Sequence, residues 1–117
     1  MNSHMIITLN LKDGSILLNE YVLNALEWPK QIQILINQAE KKLVLRPCTI
    51  EDLGAVVIPN GRIEPCEISA RLFLKRIREL VGWEDKLPRA CSGEYIPANH
   101  AVLFRLEEAQ LLDLVQE

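Results

Sequence analysis

Aromatic residues make up only 5% of the 117 residues, so any core must be assembled from leucine, isoleucine and valine. No apolar run approaches the ~20 residues that a bilayer-crossing helix needs. No cationic start is followed by an apolar stretch, so no signal peptide is expected. Met1-Asn2-Ser3-His4-Met5 instead reads as a cloning scar followed by a native start at Met5, which leaves His100 as the one native histidine. The three cysteines, Cys48, Cys66 and Cys91, are odd in number and far apart, which argues against a disulfide framework. Without a C-x-x-C pair or a second native histidine, no zinc site is expected, and reduced thiols in a cytosolic protein are. No acid–base pair, metal set or phosphate-binding loop stands out, so neither an enzyme nor a cofactor is predicted, and no catalytic or metal-binding residue is assigned. The net charge of −3 excludes a chain that is basic overall, so any cationic surface must be local.

What is present is 49% apolar and 25% charged, a soluble globular composition. IITLNL (6–11) alternates, Lys12-Asp13-Gly14-Ser15 supplies a turn, and Ile16-Leu17-Leu18 resumes, which predicts a hairpin. Asn19 suits a helix N-cap, with Val22, Leu23 and Leu26 at helical spacing behind it and Pro29 ending the run. Ile32, Ile34 and Ile36 alternate with polar neighbours and predict a half-buried strand, with Leu35 breaking the pattern. Gln38 to Lys41 turns, Leu43-Val44-Leu45 returns, and Pro47 ends the strand.

The second half follows the same plan. Val56-Val57-Ile58, Asn60-Gly61 and Ile63 predict another hairpin. Ser69 is the expected N-cap of a helix running through Val81, with Gly82 as its stop. Strands are expected around Ala90–Ile96 and Ala101–Leu106, joined by the turn Pro97-Ala98-Asn99-His100. Hairpin, helix and hairpin thus occur twice, in repeat one (6–47) and repeat two (55–106), with Trp28 matching Trp83. The match requires a second helix about five residues longer than the first. Residues 106–117 carry Leu106, Ala109, Leu112 and Val115 at near-helical spacing, and 107–117 is expected to be a short acidic helix or tail.

Leu18 to Pro47 resembles the swapped-hairpin DNA-binding domain of the AbrB and MazE type. The resemblance rests on LNEYVLNALEW at the helix position and KKLVLRP at the closing strand. RELVGW (Arg78 to Trp83) matches the family's helix end more closely still. Two such units in one chain is the tandem arrangement of MraZ-like proteins. A unit of roughly 45 residues buries too little surface to stand alone. The expected fold is therefore a single α+β domain over 6–106, in which two hairpin–helix–hairpin repeats close a small swapped-hairpin β-barrel.

The resemblance implies a cytoplasmic, bacterial DNA-binding transcriptional regulator, with Arg78 at the family's DNA-facing arginine position. Arg71, Lys75 and Arg78 fall on one helical stripe, spaced i, i+4 and i+7. Ala70, Phe73, Leu74, Ile77 and Val81 lie on the opposite, buried face. Arg62 and Arg89 are candidates to extend the basic patch. Repeat one departs from the family, with Leu23 at the arginine position, Glu20 for a common lysine and Glu27 for the glycine. Repeat two is therefore expected to dominate any DNA contact. The alternative is a protein-interaction module, such as an antitoxin or assembly factor without DNA binding, acting through residues 107–117. Association into a homo-oligomer is compatible with either reading. Trp28 and Trp83 are expected to pack, and His100 to sit in a surface turn.

Overall fold

A computed structural model describes residues 4–59 and 66–112. The expected hairpin at Asn60-Gly61 and the candidate Arg62 lie outside the described residues.

The first alternating run forms β1 (Ile6–Asn10), which pairs antiparallel with β2 (Ser15–Leu18). Gly14 (φ 76°) takes the left-handed step that closes their turn, a conformation that costs glycine nothing. Asn19 caps α1 (Glu20–Ala25): its Oδ1 accepts from the Val22 amide at 3.2 Å and from the Ile6 amide at 3.3 Å, tying the helix start to β1. The chain then reverses through Glu27 and Trp28, both in the left-handed region, and leaves as β3 (Gln31–Asn37), paired with β4 (Lys42–Pro47). Ile32 and Ile34 of β3 are buried and Leu35 is exposed, as the alternation requires.

β5 (Ala55–Val57) adds to the free edge of β3. β6 (Cys66–Ser69) adds to β2 and leads into α2 (Arg71–Val81). Ser69, expected as the α2 N-cap, is instead the last residue of β6, paired with Ser15. Ala70 takes the cap position and supplies no side-chain acceptor; its own amide donates to the Gly14 carbonyl at 2.8 Å, so backbone pairing with the first hairpin fixes the helix start. At the other end Gly82 (φ 87°) is the left-handed stop that the sequence predicted. β7 (Arg89–Ile96) and β8 (Ala101–Arg105) form the last hairpin, joined by a 3-10 turn over Pro97–Asn99. A second 3-10 turn (Leu106–Glu108) precedes β9 (Gln110–Leu111), which pairs with β7. Residues 113–117 lie outside the described residues.

Among the described residues the strands form one antiparallel sheet ordered β5-β3-β4-β8-β7-β1-β2-β6, with β9 added on β7. The sheet curls into a nearly closed barrel with two helices: an α+β fold. Its interior is aliphatic, filled by Ile7, Leu9, Leu18, Ile32, Leu43 and Leu45, with Phe104 the largest fully buried side chain. Gly93 packs directly against that ring. A Cβ there would come within 2.5 Å of Phe104 Cε2 and 2.7 Å of a Val102 methyl carbon. Burial of this kind, at about 25 cal/mol per Å2 of apolar surface, is the dominant stabilising contribution. No helix among the described residues is long and apolar enough to cross a membrane.

Candidate nucleic-acid interface

α2 packs onto the barrel through Ala70, Leu74 and Ile77, with Phe73 and Val81 half-buried beside them. The opposite side turns Arg71, Lys75 and Arg76 to solvent. The fold brings two further elements against this face. The β1–β2 turn contributes Lys12, and the loop after α2 contributes Lys86. Together with Arg71, Lys75 and Arg78 these line a depression of about 270 Å3 whose floor is Leu11 and Leu74. All five charged side chains in its wall are cationic.

Each arginine is held in a definable way. Arg71 lies across Gly14: a Cβ at that glycine would sit 3.1 Å from Arg71 Cβ and 3.2 Å from its guanidinium carbon. Its terminal nitrogen donates to the Asp13 carbonyl at 3.4 Å, so the turn glycine makes room for the helix cation. Arg78 Nε donates to the Asp85 carbonyl at 3.0 Å, and Arg78 Nη2 donates to the Glu84 carbonyl. Lys12, Lys75 and Lys86 are exposed to solvent around the depression.

Arg89, a sequence candidate, does not join this face. It is 7% exposed, because strand alternation turns residues 89, 91 and 93 inward. Its guanidinium donates to both carboxylate oxygens of Asp85, at 2.9 and 3.3 Å, and lies 4.3 Å from the centre of the Trp83 ring. The paired charge and the ring together offset its desolvation. The Arg89 hydrogen bond, with the Leu87 amide behind it, holds the Asp85 carboxyl below its ordinary range. Of the candidates, Arg71, Lys75 and Arg78 are therefore brought together, Arg89 is withdrawn into packing, and Arg62 is not described. Lys12 and Lys86 were missed by sequence reasoning. The one available signal was their charge beside predicted turns, which does not say which helix those turns approach.

Burial raises the thiols of Cys48, Cys66 and Cys91, the last to about 11, with Glu108 adding to it. Thiolate nucleophiles are therefore scarce at neutral pH. His100 (φ 48°) occupies the turn expected for it. Its Nδ1 is 2.7 Å from Tyr95 Oη, and its Nε2 is 3.6 Å from Glu27, so the β7–β8 turn meets the segment after α1. Trp28 and Trp83 are half-buried against the core, and Trp28 Nε1 donates to Asn24 Oδ1 at 2.6 Å.

α1 is chemically different from α2. Leu23 is fully buried, Glu20 and Glu27 are exposed, and no basic side chain occupies the helix's last turn. Comparison of the chain with family models, with curated proteins and with solved structures found no match.

Proposed function

We propose that this protein is a DNA-binding regulator of the swapped-hairpin type that engages the phosphate backbone through the α2 face of repeat two. The observation that carries the reading is the depression walled by Lys12, Arg71, Lys75, Arg78 and Lys86, on a chain whose net charge is −3. The β1–β2 turn, distant in sequence, meets α2 and the loop that follows it to make the depression, and a lone solvated helix face would need neither. Cations placed this way neutralise phosphates and release counterions, giving affinity without sequence information.

The strand order supports the repeat half of the reading. Exchange β1 with β5, β2 with β6, β3 with β7 and β4 with β8. The pairing β1·β7 becomes β5·β3, β3·β4 becomes β7·β8, and β2·β6 and β4·β8 map onto themselves, whereas β1·β2 would become β5·β6, which are not paired among the described residues. The helix ends agree as well. Trp28 N donates to the Leu23 carbonyl at 2.8 Å and Trp83 N to the Arg78 carbonyl at 3.1 Å, the same five-residue reach. α2 has eleven residues against six in α1, the difference that the repeat match required.

The test is fluorescence anisotropy with duplex DNA over a salt series, for wild type and Arg71→Glu/Lys75→Glu/Arg78→Glu. Wild type should bind with a steep salt dependence and the charge-reversed protein should not. Failure of wild type to bind even at low salt would sink the reading. The second reading, a protein-interaction module, is favoured by one specific feature: Leu35 and Val57 are exposed on the outside of β3 and β5, beside Leu53, which is 91% exposed and held by Gln33 Nε2 donating to its carbonyl. Charging that patch (Leu35→Lys/Leu53→Lys) should then abolish partner binding and leave any DNA affinity unchanged.

A further inference from the structure

Arg78 stands where the family resemblance places a DNA-contacting arginine, yet its guanidinium is turned toward the protein. Nε and Nη2 form the side edge with which an arginine grips an oxyanion bidentately. Here that edge is taken by the carbonyls of Asp85 and Glu84. The same short loop is gripped from its other side, where the Asp85 carboxylate accepts from Arg89 and from the Leu87 amide at 2.9 Å. Between these two anchors stands Lys86, which faces the depression.

We infer that Arg78 is a positioning residue: it braces the 84–87 loop so that Lys86 completes a phosphodiester seat with Lys12, Arg71 and Lys75. The inference rests on the nucleic-acid reading for its ligand and on the hydrogen bonds alone for its brace. The division of labour follows from geometry. The lysines are point charges on flexible stems and can follow a phosphate, whereas Arg78 is fixed by two acceptors that are themselves part of the backbone. A lysine at position 78 would keep the charge but could not span both carbonyls.

The experiment compares wild type with Lys75→Gln, Lys86→Gln, Arg78→Gln, Arg78→Lys and the double variant Arg78→Gln/Lys86→Gln. Salt slopes are read on duplex DNA, and backbone amide exchange is read without DNA. Each lost phosphate contact should lower the slope by about 0.9. A brace predicts that Arg78→Gln and Lys86→Gln each lose about 0.9, and that the double variant loses no more than either, because both remove the same contact. A direct contact at Arg78 predicts additive loss, about 1.8 in the double variant, and that outcome overturns the inference. In the exchange arm, the Leu87 amide should exchange faster in both Arg78→Gln and Arg78→Lys; protection equal to wild type overturns the brace. If wild type binds no duplex at any salt, the nucleic-acid reading has failed separately, and Leu87 exchange alone upholds or overturns the role of Arg78.

Discussion

Glu27 and Gly82 are both left-handed, with φ of 63° and 87°, and each directly precedes the tryptophan that follows its helix. The penalty for a side chain in that region is roughly 1–2 kcal/mol, which glycine avoids. Nothing lies within 4 Å of where a Cβ at Gly82 would sit, so Gly82→Ala should cost about 1 kcal/mol from backbone strain alone. Glu27→Gly should move the other way by up to about 1 kcal/mol, less whatever its exposed His100 contact contributes. Paired urea titrations would show both signs. A second residue-scale expectation concerns acid. The folded state lowers the Asp85 pKa, so the stabilisation from its Arg89 pair is fully present above the ordinary carboxylate value of about 3.9 and is lost as pH falls below it. Thermal melts of wild type and Asp85→Asn should therefore differ at neutral pH and converge toward pH 3. Curves that stay parallel would mean the pair does not stabilise the fold.

At the scale of elements, local signals were the reliable guide and boundaries set by distant pairing were not. The alternation of Ile32, Ile34 and Ile36 named β3, and Asn19 named the start of α1, because both signals are local. Ser69 failed as a cap because β2 claimed its backbone for strand pairing, a demand made by residues some fifty positions away. The basic face was half legible for the same reason. A helical wheel places Arg71, Lys75 and Arg78 together, but only the packed fold brings Lys12 and Lys86 beside them. Arg89 carried no sequence mark of burial, since Asp85 and Trp83 neutralise it only once the loop has closed. The β3 assignment has a direct check: Ile34→Ala should cost ~2–4 kcal/mol, whereas Leu35→Thr should stay within ~0.5 kcal/mol. Equal effects in chemical denaturation would refute the inward and outward assignment.

The whole barrel is held by strands that cross between the halves of the sequence. β1 leans on β7, β2 on β6, β3 on β5 and β4 on β8. Neither half can close a core by itself. A chain cut after the exposed Leu53 should therefore give two pieces that are each largely unfolded by circular dichroism and that regain the native spectrum when mixed. A piece that folded unaided would contradict the interleaving.

β7 is the strand on which that interleaving converges, pairing with β1, β8 and β9. It also arrives late in the chain. During synthesis at roughly 5–20 residues per second, several seconds separate the emergence of Pro47 from that of Arg105. Throughout that interval β1 and β4 have been made but lack β7 and β8, and their apolar faces have nowhere to go. A nascent chain of this design carries unpaired strand edges on β1 and β4 until its final hairpin leaves the ribosome.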